Sequence, residues 1–308
     1  MANYRDIKGF KIANFESDPV ENVASWSAGG NLNTARRALA GGGTQTAGLA
    51  FGGYDTNLTG KTEEYNGSSW AEDGDLNTAR AALAGCGVIP AALAFGGGST
   101  TTEAVAEEYN GSSWTETGDL SNARDQLAGA GTQTAALAFG GAGVTASTEE
   151  FGGSSWTAGG NLNTARRYLA GFGLQTAAIG AGGAEPTISA KVEQYNGSSW
   201  TEVGDLNQAR RELSGSGTTT SGLVFAGGPP AYALTEQWNG SSWTEVADLG
   251  TARYRGAGSL PAPSTSTLAF GGTAGGNVAN TEEFSLPPPT SKFLVDGEVW
   301  YNTSATNV

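Results

Sequence analysis

Six tryptophans recur at a near-constant period: Trp26, Trp70, Trp114, Trp156, Trp200 and Trp243, spaced 44, 44, 42, 44 and 43 residues apart. A period of this length belongs to one supersecondary unit that cannot bury its own apolar face and must stack on its neighbours. Each Trp is followed at a fixed offset by an arginine: Arg36, Arg80, Arg124, Arg166, Arg210 and Arg253. Each arginine opens an apolar, small-residue stretch such as "RRALAGGGTQTAGLAFGG" at 36–53. A loop of variable length comes next, then "TEEYNGSSW" or a close variant.

One unit reads as four short strands. "RALAGGGT" suits an inner strand crowded by its neighbours, and "TAGLAFGG" a second strand ending at a Gly-Gly turn. "KTEEY" and "SSWAE" carry aromatic anchors. The Asn66-Gly67 dipeptide between them predicts a type I′ hairpin with positive φ at both residues. It returns at Asn110-Gly111, Asn196-Gly197 and Asn239-Gly240, with Gly152-Gly153 in its place once. Glycine is high, 49 of 308, but it accompanies 8 Trp, 9 Tyr and 11 Phe at fixed spacings, which argues against disorder.

Six registered copies predict an all-β chain: a six-bladed β-propeller of four-stranded antiparallel blades. The last unit reaches "TEEF" at 281–284 and meets "SLPPP" where "NGSSW" should stand, while Trp26 has no strands before it. Residues 22–28 are therefore expected to complete the last blade and remove an exposed edge. The expected organisation is an N-terminal arm over 1–21, a propeller over 22–284 and a Pro-rich C-terminal arm over 285–308.

The unit resembles the kelch repeat, with Gly-Gly after the second strand, a Glu-x-Tyr, a Trp, and an Arg starting the next blade. The resemblance covers roughly 22–284. Two departures stand out: the span from Tyr65 to Trp70 is short for a kelch blade, and Ala181 and Ala226 precede Gly-Gly where the other blades have Phe.

Composition narrows the chemistry. Net charge is −14 with no His, which argues against a nucleic-acid partner. The lone Cys86 excludes an intrachain disulfide and any thiolate metal cluster. No segment has the length and apolarity for membrane insertion, and the N-terminus carries no secretory signal. Neither a catalytic site, nor a cofactor, nor a metal is expected. A copper oxidase of the galactose-oxidase kind would need His ligands, and carboxylate-only hydrolysis lacks a unique acidic pair. Cys86 shares a column with Gly42, Ala130 and Ser216 and reads as a small packing residue.

The sixfold residues read as structure. Glu63, Glu107, Glu149, Glu193, Glu236 and Glu282 match the six arginines in number, predicting six buried ion pairs between blades. Asp75, Asp119 and Asn161 read as turn residues bonding local backbone, with calcium ligation the alternative. What varies between blades is the loop after Gly-Gly, where "YDTNLTG" supplies Tyr54 and Asp55 and "PPAYAL" supplies Tyr232. Variable loops on a rigid scaffold commonly carry binding, although neutral drift would give the same pattern. The residue after each structural arginine also varies: Arg37, Ala81, Asp125, Arg167, Arg211 and Tyr254. Alternation turns this column toward the channel mouth, where Arg37, Asp125, Arg167, Arg211 and Tyr254 would meet an anionic ligand. In kelch propellers that bind acidic peptides, this column resembles the source of the ligand-contacting arginines. The opposing reading pairs these arginines with loop carboxylates such as Asp55 or Glu185.

The C-terminal arm ends in "DGEVWYNTSATNV", which resembles a short segment of tailed-phage tail and fibre proteins. Arrays with "NLNTARR" and "NGSSW" resemble virion proteins of marine phages. These likenesses imply a non-enzymatic virion component, assembled in host cytoplasm and present in many copies or as a homo-oligomer. Trp300 and Tyr301 would dock the arm on other virion proteins, and the propeller would adhere to a host surface glycan or protein or decorate the particle. The alternatives are a cytosolic scaffold for partner peptides and a carbohydrate-active propeller enzyme.

Overall fold

The computed structural model describes residues 23–286 apart from Ser99, Thr100 and Val144. The N-terminal arm and residues 287–308 of the C-terminal arm, with Trp300 and Tyr301, lie outside the described residues, and Ser285, expected in the arm, belongs to the last strand. Ala24–Ser285 forms one compact unit.

That unit is a six-bladed β-propeller. Each blade is a four-stranded antiparallel sheet. Blade one runs outward through Ala40–Thr44, Ala47–Phe51, Thr62–Tyr65 and Trp70–Asp73. Blades two to five repeat the pattern from Ala84, Ala128, Ala170 and Ser214. Blade six takes Ala257–Gly258, Ser266–Phe270 and Thr281–Ser285 from its own unit. Its outer strand is Ser25–Ala28, paired antiparallel so that Trp26 faces Phe284. The ring therefore closes on the N-terminal strand, as the truncated last repeat requires.

Glycine and aromatic columns meet at every blade junction. A Cβ on Gly85 of blade two would stand 2.3 Å from the Phe51 ring of blade one. Gly41, Gly129, Gly171 and Gly258 face Phe270, Phe95, Phe139 and Phe225 in the same way. The same Phe rings receive a Trp from the next blade's outer strand: Trp114 sits 4.9 Å from Phe51, Trp156 5.0 Å from Phe95 and Trp200 4.7 Å from Phe139. Each Phe is thus a wedge between a glycine inner strand and a Trp outer strand, in the offset and tilted geometries that aromatic pairs favour. The junction of blades four and five breaks the column and repairs it. Ala181 takes the Phe position, and Phe172 on the inner strand of blade four supplies the ring that meets Gly215 and Gly222.

Two sequence expectations need correction. Ala226 does not occupy the Phe column, because Phe225 pairs with Ser214 as Phe51 pairs with Ala40; Ala226 replaces the first glycine of the Gly-Gly pair and holds φ at 64°. The Asn-Gly turns are not two-residue type I′ turns. Tyr65 pairs with Trp70, which leaves a four-residue loop in which the glycine, and not the asparagine, has positive φ. The Asn66 side chain organises that loop, its Oδ1 accepting from the backbone N–H groups of Ser68 and Ser69 at 3.0 Å. This is an Asx-type device.

Polar contacts also cross the junctions. Four Trp indoles donate Nε1–H to a threonine of the preceding blade: Trp26 to Thr235, Trp70 to Thr281, Trp114 to Thr62 and Trp200 to Thr148, at 2.9–3.0 Å. Blade two carries Ala106 at that position, and the buried Trp156 Nε1 that should meet it has no partner. Tyr65, Tyr109 and Tyr195 donate from their hydroxyls to Glu283, Glu64 and Glu150 of adjacent blades at 2.6, 2.8 and 2.5 Å.

Two outcomes follow from these junctions. Ala106→Thr should raise stability by about 1 kcal/mol, since it supplies an acceptor to a buried orphan donor in a setting four other blades already accommodate; a denaturant midpoint that falls instead would rule this out. Burial and, secondarily, the bond to a carboxylate push the Tyr65 and Tyr195 hydroxyls up to about 12, against about 10 in an unfolded chain. A raised pKa in the folded state gives stability that is full below about pH 10 and is lost as pH climbs toward 12. Melting temperature should fall across that window in step with tyrosinate absorbance, and the double variant Tyr65→Phe/Tyr195→Phe should flatten the fall.

Candidate functional site

The sixfold Glu and Arg columns form the six expected ion pairs, all buried. Their geometry differs from expectation in one respect: both members belong to the same blade. Arg36 lies on the connection entering blade one, and Glu63 on that blade's third strand, 2.6 Å apart. The other carboxylate oxygen of Glu63 accepts from the Asn33 backbone N–H at 2.6 Å. Arg36 Nη2 donates to the Ala50 carbonyl at 3.2 Å. The pair therefore fastens each inter-blade connection to the blade it enters. Glu193 repeats the arrangement with Asn163 N–H at 2.6 Å, Asn163 Nδ2 at 2.9 Å and Arg166 Nη2 at 3.0 Å. Burial pulls Arg36, Arg166, Arg210 and Arg253 below their ordinary value, and the carboxylate partner pulls each back. The six pairs are thus buried within the blades, away from any ligand.

The Asp75 column is committed too. Asp75 Oδ1 accepts from Thr62 N–H, Asp119 Oδ1 from Ala106 N–H and Asn161 Oδ1 from Thr148 N–H, at 3.1–3.3 Å. These bonds reach back to the start of the neighbouring strand and do not close a local turn. Cys86 is fully buried, its Sγ 3.4 Å from the Thr132 carbonyl, and burial pushes the thiol well above its ordinary value. Such a thiol is inert.

The variable residues gather at one end of the channel. In five blades the residue after the structural arginine forms a backbone bridge with the residue at the head of the variable loop: Arg37 with Tyr54, Ala81 with Gly98, Arg167 with Ala184, Arg211 with Gly228 and Tyr254 with Thr273. In the remaining blade the Asp125 carbonyl accepts from Ala142 N–H at 2.7 Å. One position further on, the chain takes a left-handed conformation in every blade. Ala38, Ala82, Gln126, Tyr168, Glu212 and Arg255 all have φ between 52° and 59°. Each is costly for an L-residue, roughly 1–3 kcal/mol. A closed circle of backbone hydrogen bonds holds them. Ala82 N–H donates to Ala38 O, Gln126 to Ala82, Tyr168 to Gln126, Glu212 to Tyr168, Arg255 to Glu212 and Ala38 to Arg255, all at 2.7–3.0 Å.

Above this circle opens a bowl of about 810 Å³. Its wall includes Arg37, Tyr54 and Asn57 together with the left-handed column, and its floor is the leucine ring Leu39, Leu83, Leu127, Leu169 and Leu213. Of the expected ligand residues, Arg37 and Tyr54 line it directly, with the Arg37 guanidinium 4.7 Å from the Tyr54 ring centroid. Arg167 and Arg211 are not among its lining residues; their guanidinium carbons lie 5.4 and 5.9 Å from the ring centroid of the lining Tyr168. Arg255 comes within 5.7 Å of the same ring and 6.0 Å of Tyr254. Asp125 accepts from Gln126 Nε2 at 3.2 Å, and its Oδ1 is buried without a partner. Asp55 turns its carboxylate onto the N–H groups of Asn57 and Thr56, and the Asn57 bond holds the carboxyl below its ordinary value. Tyr232 bonds Arg253 through its backbone, away from the bowl wall.

Loop carboxylates do not neutralise the mouth arginines. Arg37 Nη1 donates to Asn277 Oδ1 at 2.7 Å, and Glu185 pairs with Lys191. Arg37, Arg167 and Arg211 make no salt bridge among the described residues. Only Arg255 is matched, bidentate to the buried Glu212 at 2.9 and 3.0 Å. Sequence reasoning missed the column at 38, 82, 126, 168, 212 and 255. Its one signal was variability, Ala, Ala, Gln, Tyr, Glu and Arg between a uniform Arg and a nearly uniform Leu.

No protein-family model matches the chain, and no curated protein matches it at a significant level.

The quality of the ion pairs sets an order of sensitivity. Glu193→Gln should cost about 3–5 kcal/mol, as expected when one member of a buried pair is removed. Glu149→Gln should cost less, because its pair with Arg124 is 3.2 Å long, its Oε1 makes no hydrogen bond, and Ser121 replaces the asparagine that would add an amide bond. Equal losses in chemical denaturation would contradict this account.

Proposed function

We propose that the chain is a non-enzymatic binding component of a phage particle, a tail-fibre or surface-decoration protein that adheres to the host surface through the mouth of its propeller. The observation that carries the binding part is the bowl: a preformed concavity in which the Arg37 guanidinium, in no salt bridge among the described residues, lies beside the Tyr54 ring, on a protein of net charge −14. Sites of 300–1,000 Å³ with a few convergent polar groups over an apolar floor are the usual form of a ligand pocket. The repeated ionic residues are spent on the blades, so the variable mouth is where specificity resides. The virion part rests on the likeness of "DGEVWYNTS" and of the Gly-rich array to phage tail and virion proteins, and the kelch likeness belongs with it. Arms outside the propeller would join other virion proteins, leaving the mouth free.

The chain should co-purify with intact particles and be placed on their surface by antibody-gold imaging. The triple variant Arg37→Ala/Arg167→Ala/Arg211→Ala should fold with a stability loss within about 1 kcal/mol, since none of the three forms a salt bridge, and should lose adhesion to host cells. Particles free of the chain would overturn the virion assignment in favour of a cytosolic scaffold. Undiminished adhesion by the folded variant would move the binding site off the mouth.

A further inference from the structure

The bowl is not sixfold, and its asymmetry narrows the ligand. Blades four, five, six and one supply Tyr168, Glu212, Arg255, Arg37 and Tyr54, whereas blade two supplies Ala81, Ala82 and Gly98. One arc is therefore a wall of rings and guanidinium groups, whereas above the leucine floor the described lining residues of blade two are alanine and glycine. The rim backbone offers no edge to an incoming chain. The N–H and C=O groups of the left-handed column are paired in the six-membered circle. In the preceding column Arg37, Ala81, Arg167 and Tyr254 are paired through both groups, and Asp125 and Arg211 through their carbonyls, with the variable loops. A peptide reading the mouth could not add a strand there and would lose the main-chain bonds on which extended-peptide recognition depends. Rings, amides and guanidinium groups over a closed backbone suit instead a ligand whose polar groups surround a compact ring with an apolar face.

We infer that the mouth takes an acidic sugar, a pyranose bearing a carboxylate within a longer glycan, with the carboxylate at Arg37 and the sugar ring beside Tyr54. Arg37 is the lining cation free of any carboxylate, and its bond to Asn277 fixes the guanidinium for a bidentate contact. Arg255 is fixed by Glu212 through Nε and Nη2, leaving Nη1 for a second contact. Asn57 places an amide for ring hydroxyls. The glycan continues past Ala81 and Ala82, among the smallest side chains lining the bowl. This inference rests on the reading of the mouth as the binding face and assigns its ligand class.

The test uses the full chain and calorimetric titration with three probes: a glucuronate oligosaccharide, the same oligosaccharide with its carboxyls reduced to alcohols, and a polyglutamate peptide. The glucuronate should bind, and carboxyl reduction or Arg37→Gln should each weaken it about tenfold or more. Ala82→Tyr should block the oligosaccharide while leaving glucuronic acid itself bound. Tyr168 already stands at the same left-handed column position, so the variant has a precedent for folding. Equal binding of the reduced oligosaccharide, binding of polyglutamate alone, or no binding of glucuronate would each overturn the assignment. Host-cell adhesion separates the two readings. If mouth variants abolish adhesion but glucuronate oligosaccharides do not compete for it, the sugar assignment falls and the mouth stands. If adhesion survives every mouth variant, both fall.

Discussion

The phenylalanine wedge is the contact on which the rest of the molecule depends. A ring from one blade can enter the next only where the inner strand has no Cβ and the outer strand offers an indole, as Gly85, Phe51 and Trp114 show. That single requirement accounts for the glycine column of the inner strands and the tryptophan period. It also explains why the column can be broken once. At the junction of blades four and five the ring is supplied by Phe172 in place of residue 181, and Gly215 still receives it. Packing conserves the ring in the space, not the position in the repeat.

Buried charge plays the complementary part. Apolar wedges hold blade to blade but do little to fix the angle at which a connection enters its blade. The carboxylate of Glu63, with Arg36 on one oxygen and the Asn33 N–H on the other, fixes that angle. A buried pair of this kind adds little net stability against a hydrophobic isostere, yet it is strongly directional. Its repetition in all six blades leaves the ring over-determined, and the mouth is free to vary.

Much of this was legible in the residues. The blade count, the strand order and closure by the N-terminal strand follow from where the motif is complete and where it stops. The pairing of Glu63 with Arg36 followed from matching columns, although its placement within one blade did not, because spacing alone does not say which side of a connection an arginine turns to. The Asn66 loop was misread because an Asn-Gly pair signals a two-residue turn, whereas the side-chain bonds to Ser68 and Ser69 stabilise a longer one. The mouth was legible one residue out of place. Alternation along a strand carries Arg37 to the rim, but the chain leaves strand geometry at Ala38, and no residue type among Ala, Gln, Tyr, Glu and Arg announces a left-handed backbone. Only the circle of tertiary hydrogen bonds imposes it.

That circle has an electrostatic consequence. Its six amides run head to tail in one rotational sense, each donating to the blade before it. Dipoles arranged tangentially around a closed loop cancel in vector sum, so the scaffold sets up little net field along the channel axis, unlike the end of a helix, where aligned peptide dipoles impose a sign. The potential at the mouth is left to the side chains mounted on the loop. A substitution at any of the six positions changes that potential without touching the bonds beneath it, and the same frame can present a cationic, neutral or anionic opening by exchanging a handful of residues.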